Sequence, residues 1–436
     1  DSEVLLAQLQ AGGYQATHED TQADAAEVVV VNTCGFIEEA KQESIDTILH
    51  YAHQKNAGQL ERLYVTGCLS HRYKDELAQE LPEVDGFFGT MDMPDLLARF
   101  QTDYRHELVG ERRLTTPSHY AYVKIAEGCD RPCGFCAIPL MRGKHRSRSI
   151  ESLVEEATFL AARGVKELLL IAQDLTYYGL DLYGERRLAE LLRALAQVDG
   201  LQWIRLHYAF PSGFPMDVLP VMREEPRIAN YLDMPLQHAA DGVLKRMRRG
   251  ITRAKTEALV QRIREEVPGI ALRTTMLVGY PGETEADHEE LLAFVEQARF
   301  ERLGVFTYSH EDGTHAATLP DDVSPEDKER RAAEVMELQQ GISLALNQQR
   351  IGQELTAIVD APERGHWVAR TAYDSPEVDN ELLLPPDSLV APGGLYRVRI
   401  DDAAEFDLYG TVLGPAEPAA GPVAGRARTR EHPGSL

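Results

Sequence analysis

Along the first hundred residues, hydrophobic positions alternate between a helical period and short apolar runs. The helical stretches cover 1–11 and 37–52, and the apolar runs lie at 28–31, 63–65 and 87–88. Helices that alternate with short apolar strands are typical of a parallel sheet covered on both faces. The pattern therefore predicts a doubly wound α/β domain, and we place it at 1–105.

A polar connection follows, and the alternation of strand and helix then resumes and repeats six times. The candidate strands are 120–126, 167–172, 203–208, 231–234, 271–278 and 303–308. Six such units are too few to close a full eight-stranded barrel, and they predict an open, partial TIM-like (β/α)6 barrel within 118–349. Its chemistry is expected at the carboxyl ends of the strands.

The last part of the chain has a different pattern. A long helical stretch over 325–349 gives way to five short β-like runs separated by turn residues. Runs of this length and spacing predict a small all-β barrel, which we place at 350–414. The Ala-, Gly- and Pro-rich tail at 415–436 is predicted to be disordered.

Composition and charge narrow the class of protein. The 436 residues carry a formal net charge of −25, which disfavours a broad electrostatic grip on nucleic acid. No run of about 18 apolar residues could span a bilayer and no signal peptide is visible, so a soluble cytoplasmic protein is predicted. Five cysteines in so long a chain favour metal ligation in a reducing compartment over a disulfide framework.

Three of the cysteines follow directly on the first predicted barrel strand, as Cys129-x3-Cys133-x2-Cys136. A cubane [4Fe–4S] cluster is held by four thiolates, so three leave one iron open. An open iron is what the amine and carboxylate of S-adenosylmethionine need for chelation before reductive cleavage. The alternative is a zinc site, for which His145 could serve as the fourth ligand.

The other two cysteines, Cys34 and Cys68, lie just past the first and second predicted strands of the N-terminal domain. Ligands of open α/β sheets collect at the carboxyl ends of the strands, so these two thiols could converge on one site. The alternative is that each is a small buried apolar residue.

The cysteine motif resembles that of the radical S-adenosylmethionine superfamily. Its flanking residues and the segment from Leu277 to Thr284 extend the likeness. Upstream, the segments from Val31 to Ile37 and from Thr66 to Leu69 resemble the N-terminal domain of the methylthiotransferases. The C-terminal barrel is similar to a TRAM domain, and the whole resemblance covers about 1–414.

Within that family the match is closest to the RimO branch, which modifies an aspartate of ribosomal protein S-twelve. The segments concerned are Ala126 to Cys129, Gly143 to Arg148, Tyr208 to Ser212, Met234 to His238 and Phe306 to Thr314. Relatives that modify tRNA usually carry Gln-Ser-Gly-Ser where this chain has Gln237-His238-Ala-Ala. A tRNA adenosine methylthiotransferase is the alternative.

The resemblance implies two [4Fe–4S] clusters. Cys129, Cys133 and Cys136 would hold the radical cluster, and Cys34 and Cys68 would hold an auxiliary cluster together with a third cysteine. That third cysteine would lie ahead of Asp1, so we expect upstream residues to be missing and the auxiliary cluster to be incomplete in the chain as given.

The resemblance also implies the chemistry. One S-adenosylmethionine would give a 5′-deoxyadenosyl radical that abstracts hydrogen from the aspartate β-carbon, and a second would donate the methyl group. No catalytic residues are expected beyond the cluster ligands. The residues expected to contact S-adenosylmethionine are Gln173, Asp174, Gln237 and Glu283, with strand-end polar caps as the alternative reading.

The partners follow from charge and chemistry. Over 350–414 there are twelve acidic and five basic residues, which suits a strongly basic ribosomal protein and disfavours direct tRNA binding. An electron donor and a sulfur source are also required. A different class, an electron carrier with two clusters, would explain the cysteines but leaves the six βα units without a role. Formation of 5′-deoxyadenosine by the reduced protein would separate the two classes.

Overall fold

The N-terminal domain of the computed structural model, which describes residues 1–18 and 26–417, is a three-stranded parallel sheet. Its elements are α1 (Ser2–Ala11), β1 (Val28–Thr33), α2 (Glu38–Asn56), β2 (Arg62–Gly67), α3 (Cys68–Arg72), α4 (Lys74–Glu80), β3 (Gly86–Phe87) and α5 (Met93–Ala98). Ile48 of α2 packs on Leu63 on one face, while Leu5 of α1 and Leu97 of α5 pack with Tyr64 on the other. The sheet is therefore covered on both faces, as the alternating pattern predicts.

The central domain is a six-stranded parallel sheet in the order β4-β7-β8-β9-β10-β11, and its two outer strands do not pair with each other. Its elements are β4 (Tyr120–Lys124), β5 (Ala126–Glu127), α6 (Ile138–Arg142), β6 (Arg146–Ser147), α7 (Ile150–Ala162), β7 (Glu167–Ile171), α8 (Leu180–Tyr183), α9 (Leu188–Leu195), β8 (Trp203–Leu206), α10 (Val218–Glu224), β9 (Ile228–Asp233), α11 (Asp241–Arg246), α12 (Arg253–Glu266), β10 (Ala271–Val278), α13 (Glu285–Ala298), β11 (Arg302–Thr307) and α14 (Pro325–Gln348). Short 3-10 helices cover His106–Val109, Leu175–Tyr177 and Ala316–Thr318. The barrel is open, and a single large apolar core packs its strands against the surrounding helices.

Local sequence signals fix the starts of the long helices. The Ser149 hydroxyl accepts a hydrogen bond from the Ser152 amide at the start of α7. Thr284 and Asp287 form a reciprocal capping box at α13, and Ser324 precedes the first-turn proline of α14. These caps satisfy amides that lack a partner within the helix, so each chain reversal after a strand is well defined.

The C-terminal domain is a closed five-stranded barrel in the order β12-β13-β14-β16-β15. Its strands are β12 (Glu354–Glu363), β13 (His366–Thr371), β14 (Glu381–Leu384), β15 (Leu395–Ala403) and β16 (Asp407–Pro415). All neighbours are antiparallel except β14 and β16, which run parallel. Closure leaves no free sheet edge, and Val359, Leu382 and Val398 fill the small core.

Buried ion pairs join this small barrel to the amino-terminal base of the central barrel. Glu167, the first residue of β7, lies 2.8 Å from Arg205 and 2.8 Å from Arg370 of the small barrel. Burial alone would raise the pKa of Glu167, but Arg370 and Arg205 outweigh it and lower the pKa. Arg302 and Asp374 form a second pair, at 2.9 Å. Charges buried this deeply are tolerated because each has a partner.

The predicted fold class is confirmed in all three parts. The ribbon of β5 and β6, which holds the ends of the cysteine loop together, was not predicted, because two-residue strands carry no readable period. Pro415 is the last residue of β16, and the tail predicted to be disordered lies from 418 onward outside the described residues. The domain boundaries stay predictions. Over 1–18 and 26–417, no helix has the length and apolarity needed to cross a membrane.

Candidate functional site

The loop that carries three cysteines begins at the end of β5 and is closed by β6. Gly128 has φ +78°, and a Cβ there would lie 2.6 Å from the Lys144 carbonyl carbon. The Cys129 amide donates a hydrogen bond to the Gly143 carbonyl at 3.1 Å. The two ends of the loop therefore approach each other at a distance that only glycine permits, and this approach fixes Cys129 at the barrel mouth.

Loops that follow later strands pin the second half of the cysteine loop. The Gly134 amide donates to the Met247 carbonyl at 2.8 Å, and the Gly134 carbonyl accepts from the Ala316 amide at 2.7 Å. A Cβ at Gly134 would lie 2.9 Å from the Tyr280 hydroxyl. The position of Cys133 and Cys136 thus depends on the loops beyond β9, β10 and β11.

The donor set suits a soft metal cluster. Burial raises the pKa of Cys129 to about 11 and that of Cys136 to about 12, so both are neutral thiols until a metal charge displaces the proton. An Arg249 N–H points at the Cys133 sulfur from 3.3 Å. In the described part of the chain, no three His, Cys, Asp or Glu side chains are already drawn together as metal ligands. The residues fit an iron–sulfur cluster because three thiols lie on one short loop, with the Arg249 guanidinium beside Cys133.

His145, the fourth ligand of the zinc alternative, has polar contacts of its own through Nε2, while its buried Nδ1 has no hydrogen-bond partner within the described residues. Its ring is buried, with Nε2 3.2 Å from the Ser147 hydroxyl and 4.0 Å from an Asp181 oxygen. The imidazole also meets the Tyr177 ring edge to face. Among the described residues, this ring does not form a group of three possible metal ligands with the cysteines.

Gln173 and Asp174 follow β7 but have different surroundings. The Gln173 amide nitrogen donates to Glu127 at 3.2 Å, while its buried carbonyl oxygen has no hydrogen-bond partner. Asp174 is almost fully buried and accepts from Arg131 at 2.7 Å and from Thr176 at 2.8 and 2.7 Å. Gln173 therefore keeps a free acceptor near the cysteine loop, whereas Asp174 is occupied by its protein partners.

Gln237 and Glu283 lie near the far side of the mouth. Gln237 has φ +76°, and its backbone bonds to Thr275 and Leu277 of β10. Buried Glu283 accepts from the Tyr280 amide at 3.0 Å and lies 3.2 Å from Arg331 of α14. Both residues stabilise the turns in which they lie.

Sequence reasoning did not assign to the site two arginines that the structure places at the cysteine loop, one within the loop and one beside it. The Arg131 guanidinium lies 3.8 Å from the Tyr177 ring centre and 4.0 Å from that of Phe210. The Arg249 guanidinium lies 4.2 Å from the centre of the same Phe210 ring. Cation and ring stacking of this kind stabilises a partly desolvated arginine. Arg131 lies inside the cysteine motif itself, so its position was the only signal available.

The cysteines of the N-terminal domain lie side by side. Thr33 and Gly67 are paired across β1 and β2, so the next residues, Cys34 and Cys68, occupy equivalent positions at neighbouring strand ends. Cys34 is exposed and Cys68 is buried. A Cβ at Gly35 would lie 2.7 Å from the Leu69 amide nitrogen. The two cysteine turns therefore touch backbone to backbone.

Both sets of cysteines face the same region of the molecule. Cys68 packs against Ala137 and Met141, in the segment that follows Cys136 directly. The Arg142 guanidinium at the end of this segment lies 3.3 Å from a Glu127 oxygen. Burial alone would lower the pKa of Arg142, but Glu127 and Cys68 outweigh it and raise the pKa. The N-terminal domain thus lies with its cysteine edge on the barrel mouth.

Comparisons with known proteins agree with this arrangement. Residues 123–295 match the Radical SAM superfamily, 1–89 the Uncharacterized protein family UPF0004, and 351–413 the TRAM domain. The chain is 58% identical over 414 residues to the ribosomal protein uS12 methylthiotransferase RimO of Cytophaga hutchinsonii, covering 95% of this chain and 94% of that protein. It is 52% identical over 416 residues to the protein of the same name from Porphyromonas gingivalis, covering 95% and 96%. The chain belongs to the RimO family.

As a member of the RimO family, the chain is a radical S-adenosylmethionine methylthiotransferase. Membership implies a [4Fe–4S] cluster and S-adenosylmethionine as cofactors. Among solved structures, the radical S-adenosylmethionine methyltransferase TsrM from Kitasatospora setae aligns with a TM-score of 0.52 at 14% identity, covering 90% of this chain and 80% of that one. That likeness concerns the fold alone, and it agrees with an open barrel carrying further domains.

Proposed function

We propose that this RimO-family chain transfers a methylthio group to the β-carbon of an aspartate in ribosomal protein uS12. The observation that carries the proposal is the contact of Cys68 with Ala137 and Met141, because it brings a second pair of thiols to the loop of Cys129, Cys133 and Cys136. The substrate is the one named for relatives 49–58% identical to this chain. A ribosomal substrate also supports a cytoplasmic location for the enzyme.

The radical cluster is proposed to be held by Cys129, Cys133 and Cys136. When bound, the cluster and S-adenosylmethionine supply the one-electron cleavage that makes removal of an unactivated hydrogen possible. Gln173 is the best candidate for the methionine amine, since its buried carbonyl oxygen has no partner within the described residues. The other residues proposed near this cofactor are Asp174, Gln237 and Glu283.

An auxiliary [4Fe–4S] cluster is proposed at Cys34 and Cys68, where it would carry the sulfur that becomes the methylthio group. Support comes from their equivalent positions at paired strand ends and from the glycines beside them. Gly35 and Gly67 allow the two turns to approach closely, so both sulfurs can reach one group. A second S-adenosylmethionine would serve as methyl donor, with an external sulfur source and electron donor.

The acidic C-terminal barrel is proposed to bind the basic substrate protein. Four of its twelve acids face the central barrel instead: Asp360 and Asp374 pair with His119 and Arg302, and Glu377 and Asp379 contact Tyr120, Tyr231 and Arg273. Eight acids and four arginines remain outside that interface, so the free surface is still acidic. Such a surface repels phosphate and favours a basic protein, and direct tRNA binding is not expected.

Mass spectrometry of a deletion strain tests the function. Ribosomal protein uS12 should lose its methylthio group, tRNA nucleosides should be unchanged, and a plasmid carrying the wild-type gene should restore the modification. A Cys133→Ala plasmid, which removes one thiolate of the radical site, should not. Loss of a tRNA modification with intact uS12 would instead favour the tRNA adenosine alternative. Absence of 5′-deoxyadenosine from the reduced wild-type protein would favour the electron carrier.

Charge reversal in the full-length protein tests the partner surface. Changing Asp401, Asp402 and Glu405 to Lys should weaken binding of uS12, most clearly at low salt, and leave S-adenosylmethionine cleavage unchanged. The neutral Asn, Asn and Gln variant should have an intermediate effect. Unchanged uS12 binding together with tight tRNA binding at physiological salt would contradict the assignment.

A further inference from the structure

The segment that follows β11 has no part in the chemistry proposed above, yet it holds a buried carboxylate. Glu311 is 3% exposed and lies in the Phe306 to Thr314 motif of the RimO branch. Its Oε2 accepts a hydrogen bond from Arg72 at 2.6 Å and lies 3.3 Å from the Lys41 ammonium, while the Ser309 hydroxyl donates to Oε1 at 2.9 Å. Both of its cationic partners come from the N-terminal domain.

Each partner belongs to an element that begins beside a cysteine. Arg72 is the last residue of α3, which begins at Cys68. Lys41 lies in the first turn of α2, the helix that follows the Cys34 turn. Arg72 also donates to the Gly35 carbonyl at 3.3 Å and to the Asp312 carbonyl at 2.5 Å. One carboxylate of the barrel therefore joins both cysteine turns.

The pairs are ionic and partly shielded from water. The Arg72 side chain is 6% exposed and that of Lys41 is 12% exposed. Burial alone would lower the pKa of Lys41, but Glu38 and Glu311 outweigh it and raise the pKa. Shielded charge pairs hold their geometry better than exposed ones, because solvent does not compete for the donors.

Other contacts keep the N-terminal domain on the barrel without Glu311. Arg112 pairs with Glu3 at 2.7 Å, and the Thr90 hydroxyl donates to the Met141 carbonyl at 2.8 Å. Loss of Glu311 would thus leave the domain attached, but it would release the local seating of the two cysteine turns. A change of this kind affects a reaction that needs both sites and spares one that needs a single site.

We propose that Glu311 is a positioning residue that sets the Cys34 and Cys68 turns over the barrel mouth, so that sulfur transfer depends on it while S-adenosylmethionine cleavage does not. The proposal rests on the proposed function, since it assigns sulfur delivery to these two cysteines. Glu311 acts through Arg72 and Lys41 and has no direct contact with the reacting atoms.

The test compares Glu311→Gln with Asp312→Asn in the full-length reconstituted protein. The second variant removes one charge from the same loop but leaves the bond from Arg72 to the Asp312 carbonyl intact. Glu311→Gln should lower the rate of uS12 methylthiolation on the order of 10- to 100-fold and leave 5′-deoxyadenosine formation within about twofold, as expected for a misplaced reacting group. Asp312→Asn should match wild type in both assays.

A double-mutant cycle between Glu311 and Arg72 adds a measurement that general destabilisation would not reproduce. Arg72→Gln should show the same split between cleavage and transfer, and the double variant should be no worse than either single variant, because the two changes disrupt one interaction. An equal loss of cleavage and transfer in Glu311→Gln, or fully additive effects in the cycle, would overturn the proposal.

Hydrogen exchange separates this proposal from the proposed function. In Glu311→Gln the amides of 34–37 and 68–72 should exchange faster than in wild type, whether or not uS12 is the substrate, and Asp312→Asn should leave them unchanged. Unchanged protection in Glu311→Gln would overturn the positioning role. Failure of the wild-type enzyme to modify uS12, with faster exchange in Glu311→Gln, would overturn the substrate assignment alone.

Discussion

Replacing Gly67 with alanine should disrupt the paired cysteine turns, because the backbone there tolerates only glycine. Gly67 has φ +102° and ψ −162°, a region open essentially to glycine alone. An added Cβ would lie 2.7 Å from both the Thr33 amide nitrogen and the Asn32 side-chain oxygen. The strain costs about 1–3 kcal/mol, and the forced shift of neighbouring backbone adds about 1–3 kcal/mol.

Gly58 supplies the matched control. It also has positive φ, at +73°, but a Cβ there would meet no atom within 4 Å. Gly58→Ala should therefore cost only the conformational strain, about 1–2 kcal/mol, against about 2–6 kcal/mol for Gly67→Ala. The difference between the two variants isolates the close approach of the two strand ends.

Native-state hydrogen exchange of the β1 and β2 amides measures these free energies directly, because it reports the opening of that sheet and not of the other domains. Methylthiolation of uS12 should fall strongly in Gly67→Ala and remain near wild type in Gly58→Ala. Equal exchange in the two variants, with sulfur transfer retained in both, would refute the claim that the close approach at Gly67 positions Cys34 and Cys68.

Three further outcomes are expected. Arg370→Met should lower the free energy of unfolding in urea by about 3–5 kcal/mol, because it deprives buried carboxylates of one partner. Arg364→Met, at a side chain that is 89% exposed, should change it by less than about 0.5 kcal/mol. Similar urea midpoints for the two variants would argue that the ion pairs between the two barrels do not stabilise the protein. The pKa of Glu381 is raised by burial and then by Asp407, so ionisation of this carboxyl destabilises the fold. Glu381→Gln should therefore become more stable than wild type as the pH rises above about 4, but not below it. A stability difference that does not change with pH would count against this. Cys133→Ala should retain the fold of the apo protein by circular dichroism and form no 5′-deoxyadenosine after reconstitution, and cleavage at the wild-type rate would exclude this thiol as a ligand.

The fold was predictable from sequence because its signals are local and periodic. The Leu-Leu-Leu-Ile run of β7 is buried almost throughout, as expected for a parallel strand covered on both faces. The neighbouring positions of Cys34 and Cys68 also follow from strand order, because the carboxyl ends of parallel strands meet at one edge. The role of these two residues as cluster ligands stays a prediction.

The contacts that could not be predicted from the sequence are those between different domains and different loops. Composition counts Asp360 and Asp374 as surface charge, yet the fold turns both toward the central barrel, where they pair with His119 and Arg302. The engagement of Asp174 by Arg131 is likewise invisible in sequence, since it depends on how one loop folds over another. Contacts between distant segments carry no periodic signal.

The buried ion pairs at the base of the central barrel have a consequence for synthesis on the ribosome. Arg370, the third member of the group formed with Glu167 and Arg205, is made about 8 to 40 s after them at roughly 5–20 residues per second. Until then the base of the barrel exposes charged side chains to water in place of a large apolar patch, which would be prone to aggregation. Because the contact between the two barrels uses charged residues, the central barrel can stay soluble during synthesis until the C-terminal barrel has been made.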